Sequence, residues 1–327
     1  MATCFIEWVN YYVPTQMIYT KLAMSHTTPP KIAVIIPHFN DECRLYKCLQ
    51  ALSNQTLSSD SYQIIVVDNG STTAPVETVQ QFDNAVLLAE QKPGSYSARN
   101  KAIKQFDSPI YAFTDSDCIP DPEWLESAVH KLQKNASIDA VSGPITLFSD
   151  RQNHPNAIEL IDMCFAFPQQ QSIALYHYAP TANLIVRKSA FERVGIFNDS
   201  LMSGGDAEWG LRLHEQNGCL VYDAAVVIHH PARDSMSGYF TKIRRTTHGL
   251  WARRRNSPQA RKALRPKGVL LLVLPPLQRM RQLFNFNKEV SFSTKLKASS
   301  ILYLGKLYKL QQIVLCSLGL VASPERR

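Results

Sequence analysis

Between residues 31 and 230 the chain alternates short apolar runs with stretches whose apolar positions recur at helical spacing. Ile32–Ile36 is an uninterrupted run rich in β-branched residues and predicts a strand buried on both faces. Leu45, Cys48, Leu49 and Leu52 follow at i, i+3, i+4 and i+7, a helix that Asn40 or Asp41 can cap. Ile64–Val67, Ala85–Leu88 and Ile110–Thr114 predict further strands, with a helix from Pro93-Gly94-Ser95 through Phe106 before the last. Asp121-Pro122-Glu123 marks another helix start, with proline at the first position and acids in the first turn. Asn183–Val186 predicts a strand, Asp206–Gln216 a helix stopped by Asn217-Gly218, and Val226–Ile228 a strand ending at His229-His230. Strands that alternate with helices predict a Rossmann-like α/β domain with a mainly parallel central sheet flanked by helices.

Composition narrows this picture. The chain has 327 residues, 45% hydrophobic and 19% charged, enough for a large α/β domain with an appendage and too apolar for wholesale disorder. No run of about 18 apolar residues predicts a spanning helix. The seven cysteines are scattered without a CxxC pair, which fits reduced thiols rather than a disulfide frame or a zinc site. No basic segment followed by an apolar stretch opens the chain, so a secretory leader is not expected. Residues 1–30 read as an extension of little organisation, and Met24 is an alternative start.

Charge divides the chain unevenly. Residues 1–230 hold 15 Lys+Arg against 24 Asp+Glu, whereas residues 231–327 hold 20 against 3. The overall charge of +8 therefore hides an acidic front and a basic tail. The division puts a domain at 31–233 and a basic, partly apolar helical region at 234–327. Within that region lie the apolar block Gly268–Leu277 and a helical pattern from Ile301 to Val321. Basic residues beside apolar helices suit an anionic membrane surface; a helical cap on the main domain is the other reading. Nucleic acid is disfavoured, because Arg253-Arg254-Arg255 has only Trp251 beside it as an aromatic and no zinc-finger or RNA-binding signature is present.

In an open α/β sheet, ligands bind beyond the carboxyl ends of the strands. The first such turn, Pro37-His38-Phe39-Asn40, contains no glycine, which removes both the dinucleotide loop and the P-loop. Asp115-Ser116-Asp117 follows the strand ending at Thr114 and sets two carboxylates side by side. Two such groups repel unless a cation lies between them, and Mg²⁺ or Mn²⁺ there can also hold a diphosphate.

Taken together, Val34–Asn40, Val66-Val-Asp-Asn-Gly-Ser71, Ser97-Ala-Arg-Asn100 and Phe113-Thr-Asp-Ser-Asp117 resemble the inverting, nucleotide-sugar-dependent glycosyltransferases of family 2, which have the GT-A fold. Ala182-Asn183-Leu184, Ser203–Arg212 and Val227–Arg233 continue the resemblance, which covers about residues 31–233. It implies a nucleoside-diphosphate sugar as donor, with Pro37, Phe39, Asn40, Asp68, Arg99, Asp115 and Asn183 around it. Phe39 stands where the family often stacks tyrosine on the base; Asp68 would accept from base or ribose and Arg99 would approach the nucleotide or its phosphates. Core packing of Phe39 and a surface ion pair of Arg99 are the alternatives. Asp117 would bind the cation, completed by His230 or, alternatively, His229, which points the opposite way in an extended strand. Asp206 matches the aspartate that takes the proton from the acceptor hydroxyl, though Gly205 replaces the glutamate that usually precedes it; Glu208 is the other candidate base, and a helix cap is the other reading of Asp206. Asn183 and Trp209 would line the acceptor cleft, unless Trp209 is core.

The resemblance implies transfer to a saccharide or lipid-linked acceptor in cell-surface polysaccharide or glycolipid synthesis, in the cytoplasm or at the inner face of its membrane. No QxxRW motif is present, which disfavours a processive synthase. A sugar-phosphate nucleotidyltransferase would bring a glycine- and lysine-rich loop after the first strand, and a non-enzymatic binder of anionic surfaces would rest on the tail alone.

Overall fold

The computed structural model describes residues 18–19, 31–151, 154–255, 258–286 and 289–320. Met24 and Cys4, and most of the 1–30 extension, lie outside the described residues.

The strands, in chain order, are β1 (Ile18–Tyr19), β2 (Ile32–His38), β3 (Tyr62–Asp68), β4 (Ala85–Ala89), β5 (Ile110–Phe113), β6 (Ile119–Pro120), β7 (Ala140–Ser142), β8 (Ile145–Phe148), β9 (Leu184–Arg187), β10 (Leu220–Tyr222) and β11 (Ile228–Pro231). The central sheet has the order β1-β4-β3-β2-β5-β9-β7-β10. Its heart, β4-β3-β2-β5, is parallel throughout. β2 and β3 are Ile/Val runs buried on both faces, as parallel strands covered by helices must be. Their register pairs His38 with Asp68, and Ile35 faces Phe113 on β5. The carboxyl ends of β2, β3 and β5 therefore open on one edge.

β9 runs antiparallel to both β5 and β7. The chain between β7 and β9 never returns to the far edge of the sheet, so it re-enters from the carboxyl edge and must run backwards. The strand ending in the two histidines is β11, and it belongs to a second, three-stranded sheet, β6-β11-β8, rather than to the central one. β6 follows Asp115-Ser116-Asp117 after one residue, so its pairing with β11 carries the aspartate loop to the histidines.

Helices cover both faces. α1 (Glu42–Ser53) and α2 (Val76–Gln80) lie with α4 (Trp124–Lys134) on one side, where Leu45, Leu49, Leu52, Trp124 and Leu132 fill the core. α3 (Ser95–Gln105) lies on the other side. α5 (Ala157–Phe165) and α6 (Gln169–Tyr176) precede β9, and α7 (Lys188–Val194) and α8 (Gly205–Glu215) complete the second face with Phe191, Trp209 and Leu213.

Beyond Pro231 come α9 (Met236–Ala252), α10 (Pro258–Ala263), α11 (Pro266–Leu270), α12 (Leu277–Phe286) and α13 (Phe292–Ser317). These helices are not a detached tail. Ile158, Leu160 and Ile161 of α5 form one buried cluster with Tyr239, Leu283, Ala298 and Leu302. α5 itself starts on a capping box between Asn156 and Glu159. Its Asp162 is buried and bonded to Arg233 at 2.8 Å and Lys242 at 2.9 Å. Burial alone would raise the Asp162 pKa, but the two cations and their hydrogen bonds hold it below the usual carboxylate range. Among the described residues no helix is long and apolar enough to cross a membrane.

Candidate active site

The loops after β2 and β3 are tied to each other. The Asn40 backbone N–H donates to Ser71 Oγ at 2.8 Å, and Thr72 N–H donates to Asn40 Oδ1 at 2.8 Å. Asn40 adopts the left-handed region, φ 50°, to make this turn. Asn69 anchors the next turn through bonds to the Glu90 and Lys92 carbonyls and to the Gly94 N–H. At the floor of this corner Asp68 is buried and its Oδ2 accepts from Ser71 N–H at 3.2 Å. Asp68 Oδ1 and His38 Nδ1 are buried without a hydrogen-bond partner among the described residues. A buried polar atom left in this way needs a partner, a water or a ligand group. Burial depresses the His38 pKa despite the opposing charges of Asp68, Asp41 and Glu42. Pro37 and Phe39 lie half-buried at the same strand end.

The aspartate loop divides its two carboxylates. Asp115 pairs with Arg99, which is itself almost wholly buried on α3. Arg99 therefore underlies the loop rather than lying open on the surface. Asp117 is 11% exposed, and its Oδ1 stands 3.5 Å from His230 Nε2. His230 Nδ1 is 2.7 Å from the Pro231 carbonyl oxygen, which can only accept, so the ring proton sits on Nδ1. In the tautomer that carries its proton there, Nε2 presents a lone pair toward the carboxylate oxygen. Two acceptors facing each other fit a cation between them, with the backbone carbonyl orienting the imidazole. His229 lies on the other face of β11, 39% exposed and 3.6 Å from Asp121 Oδ2. Cys118 Sγ is also within reach of this pair. Burial, reinforced by Asp117 and Asp115, raises its pKa well above the ordinary thiol value, so it offers a neutral thiol, a poor ligand for a hard cation.

Asp206 opens α8. Its Oδ1 accepts from Tyr96 Oη at 3.2 Å and from the Ala207 N–H at 2.8 Å, while its own N–H donates back to Tyr96 Oη at 3.2 Å. Desolvation raises its pKa; the Ala207 and Tyr96 hydrogen bonds and the charges of Arg253 and Arg99 oppose that rise. Tyr96 and Arg99 stand at i, i+3 on α3, with the guanidinium 5.7 Å from the ring centroid. One helix thus links Asp206 to Asp115. The same tyrosine accounts for Gly205: a Cβ there would come within 2.8 Å of the Tyr96 ring, so the usual glutamate has no room.

Three of these residues stand as follows. Asn183 does not line a cleft. It is fully buried, accepts from Trp124 Nε1 at 2.9 Å, and donates to the carbonyls of Val226 at 2.8 Å and Pro144 at 3.1 Å. Both its amide protons are used and the side chain is closed off from solvent, so it acts as a joint between the two sheets. Trp209 is core, packed on Phe191 and Phe197 with its indole N–H donating to the Gly195 carbonyl at 3.0 Å. Glu208 forms a two-pronged pair with Arg212, at 2.7 and 3.1 Å, and the same guanidinium also bonds the Ile196 carbonyl. Both carboxylate oxygens of Glu208 are thus engaged by one guanidinium.

Two contributors escaped sequence reasoning. Tyr96 gives no signal, since a helical pattern does not say what a side chain reaches 110 residues away. Arg253 lies beyond the composition break. Gly204 has φ +80°, and a Cβ on it would come within 2.6 Å of the Arg253 guanidinium carbon. One turn earlier on α9, a Cβ at Gly249 would approach the Ser203 carbonyl oxygen to 2.7 Å. The end of α9 thus presses directly on the loop that leads into Asp206.

The chain is similar to known proteins. The model of a family described as Glycosyl transferase family 2 matches residues 33–195. Glycosyltransferase AglE of Haloferax volcanii is 36% identical over 215 residues, which is 63% of this chain and 69% of that protein. A pre-mycofactocin glycosyltransferase of Mycobacterium tuberculosis is 26% identical over 233 residues, 67% of this chain but only 48% of its own length. Among solved structures, mannosyltransferase PcManGT from Pyrobaculum calidifontis, in complex with GDP-Man and Mn²⁺, superposes with a TM-score of 0.59 at 17% identity. That alignment covers 89% of this chain and 87% of the other, and it shows a common GT-A fold. The paired strand ends, the aspartate loop and the match to AglE lead to one conclusion: the chain belongs to glycosyl transferase family 2.

Proposed function

We propose that the protein moves a sugar from a nucleoside diphosphate to an acceptor hydroxyl with inversion, using Asp206 as the base. The observation that carries this reading is the state of Asp206. It is a desolvated carboxyl of raised pKa, oriented by Tyr96 and joined through Arg99 to the aspartate loop. Direct displacement needs a base on the side of the sugar opposite the leaving group, and a raised pKa suits proton capture near neutral pH. Asp206 takes the acceptor proton as the acceptor oxygen bonds to the anomeric carbon, and the bond from that carbon to the diphosphate breaks with its electron pair leaving on oxygen. Glu208 has no part in the transfer, being held by Arg212.

On the donor side, Asp68 and His38 receive the base or ribose, with Phe39 against it, and Asn40 shapes the loop. Asp115, steadied by Arg99, faces the ribose or the metal. Asp117 and the Nε2 of His230 would hold a divalent cation, Mg²⁺ or Mn²⁺, whose positive charge would be available to the leaving diphosphate. The Mn²⁺ and GDP-Man bound to PcManGT support a divalent cation and a nucleoside-diphosphate sugar here. The acceptor is a saccharide or lipid-linked hydroxyl presented at the cytoplasmic face of an anionic membrane, as the basic C-terminal region suggests.

Screening UDP-, GDP- and dTDP-sugars with Mn²⁺ for a rise in melting temperature identifies the donor, because a ligand that binds only the folded state stabilises it by mass action. Turnover of the donor so identified should vanish in Asp206→Asn while its binding persists. Undiminished transfer in that variant would remove Asp206 as the base.

A further inference from the structure

The turn between α11 and α12 is built in an unusual way. Leu270, Leu271, Val273, Leu274 and Leu277 all project into solvent, Leu270 and Leu277 with 71% and 72% of their surface open. Their backbone is nevertheless fastened. Tyr303 Oη donates to the Val273 carbonyl at 2.8 Å, and Lys306 Nζ donates to the carbonyls of Leu271 at 3.0 Å and Leu274 at 2.6 Å. Tyr303 and Lys306 lie at i, i+3 on α13, so one face of that helix grips the turn from beneath. Pro275 and Pro276 stiffen its exit. The leucines are held outward rather than left to fold back. Five large apolar side chains within eight positions form a patch of the kind that marks an interaction surface on a soluble face.

Charge says what covers the patch. From residue 235 to residue 288 the chain carries 13 Lys+Arg and no Asp or Glu. Arg265 and Lys267 precede the apolar tip, and Arg279 and Arg281 follow it. Arg279 is near enough to Lys306 to add to the desolvation that lowers its pKa. A second copy of this chain would set one cationic collar against another. Nucleic acid would match the collar but leave the leucines in water. A leaflet of anionic phospholipid matches both, with phosphates at the collar and acyl chains at the tip.

We propose that the Leu270–Leu277 turn is a docking wedge that seats its leucines among the acyl chains of an anionic phospholipid surface while Arg265, Lys267, Arg279 and Arg281 contact the phosphates. It deepens the reading that the acceptor is presented at a membrane, and it names the element that makes the contact.

The test sediments the full chain with vesicles of phosphatidylcholine alone or with about a third phosphatidylglycerol. Wild-type protein should pellet with the anionic vesicles, be released by salt, and stay in solution with the neutral ones. Leu270→Glu/Leu274→Glu should cut vesicle binding by at least about tenfold. Nucleotide-sugar binding with Mn²⁺ and melting temperature should stay as in the wild type, since both side chains are already solvent-facing. Arg265→Gln/Lys267→Gln should lower affinity for anionic vesicles severalfold while retaining the fold. A wild type that does not pellet, or a double-glutamate variant that pellets as well as the wild type, overturns the proposal. So does sedimentation equilibrium showing a wild-type dimer that the glutamates dissolve, which would make this face a contact between copies. Vesicle binding without nucleotide-sugar binding would instead refute the transfer reading and leave the wedge standing.

Discussion

Tyr96 and Asp206 exchange two hydrogen bonds across 110 residues, the phenol donating to the carboxylate and accepting from the aspartate's own N–H, each at 3.2 Å. The pairing fixes where the carboxylate points and limits how far burial can raise its pKa. Removal of the hydroxyl in Tyr96→Phe takes away a bond that favours the ionised form. The acidic limb of the pH–rate profile, already above the ordinary aspartate value of about 3.9, should then move to higher pH. Loss of two bonds of about 1 kcal/mol each should leave the protein folded. A limb that stays in place would separate Tyr96 from the base.

Asp206→Asn and Glu208→Gln should behave oppositely. The first should lower transfer by about 10²–10⁴-fold with donor affinity intact. Because the folded-state pKa of Asp206 is raised, ionising it costs stability as pH rises through that value. The amide should therefore melt at the same or a higher temperature near neutral pH. Glu208→Gln should retain transfer chemistry while melting lower, since it breaks the pair with Arg212. Melting curves and single-turnover rates on the two variants distinguish these roles.

Asp117→Ala and His230→Ala should each abolish the Mn²⁺-dependent part of the thermal stabilisation by donor. His229→Ala should retain it, since that ring faces Asp121. Equal losses in both histidine variants would argue against His230 as a ligand.

Asn183→Ala should be a stability mutation. It strips a partner from the Trp124 indole and from two buried carbonyls, at a cost of about 2–3 kcal/mol. Denaturant midpoints should fall, whereas KM for the donor in the remaining folded protein should not change.

Gly249→Ala should lower turnover from a distance. Its methyl would meet the Ser203 carbonyl oxygen and push α9 off the loop before Asp206, with a stability loss of about 1–3 kcal/mol. Arg253→Ala removes a positive charge that favours the ionised carboxylate, so it should shift the acidic limb upward as Tyr96→Phe does.

The strands that carry the donor loops were legible because unbroken Ile/Val runs such as Ile32–Ile36 have few alternatives to a doubly covered strand. The direction of β9 was not, since it depends on which edge the preceding chain leaves. Alternation told that His229 and His230 oppose each other; only the pairing of β6 with β11 says which one meets Asp117. Asn183 misled for a related reason. A polar residue at a strand end reads as a ligand when its satisfying groups lie 39 to 59 residues away and leave no mark in local spacing. Arg253 was hidden by composition itself, being one cation among many in a basic stretch.

Gly249 and Arg253 rest against Ser203 and Gly204, which has a practical result for anyone preparing the protein in pieces. An expression boundary drawn where the composition turns basic would look clean on paper, yet it would strip away the helix that packs on the loop before Asp206. Such a fragment should recognise the donor and fail to use it.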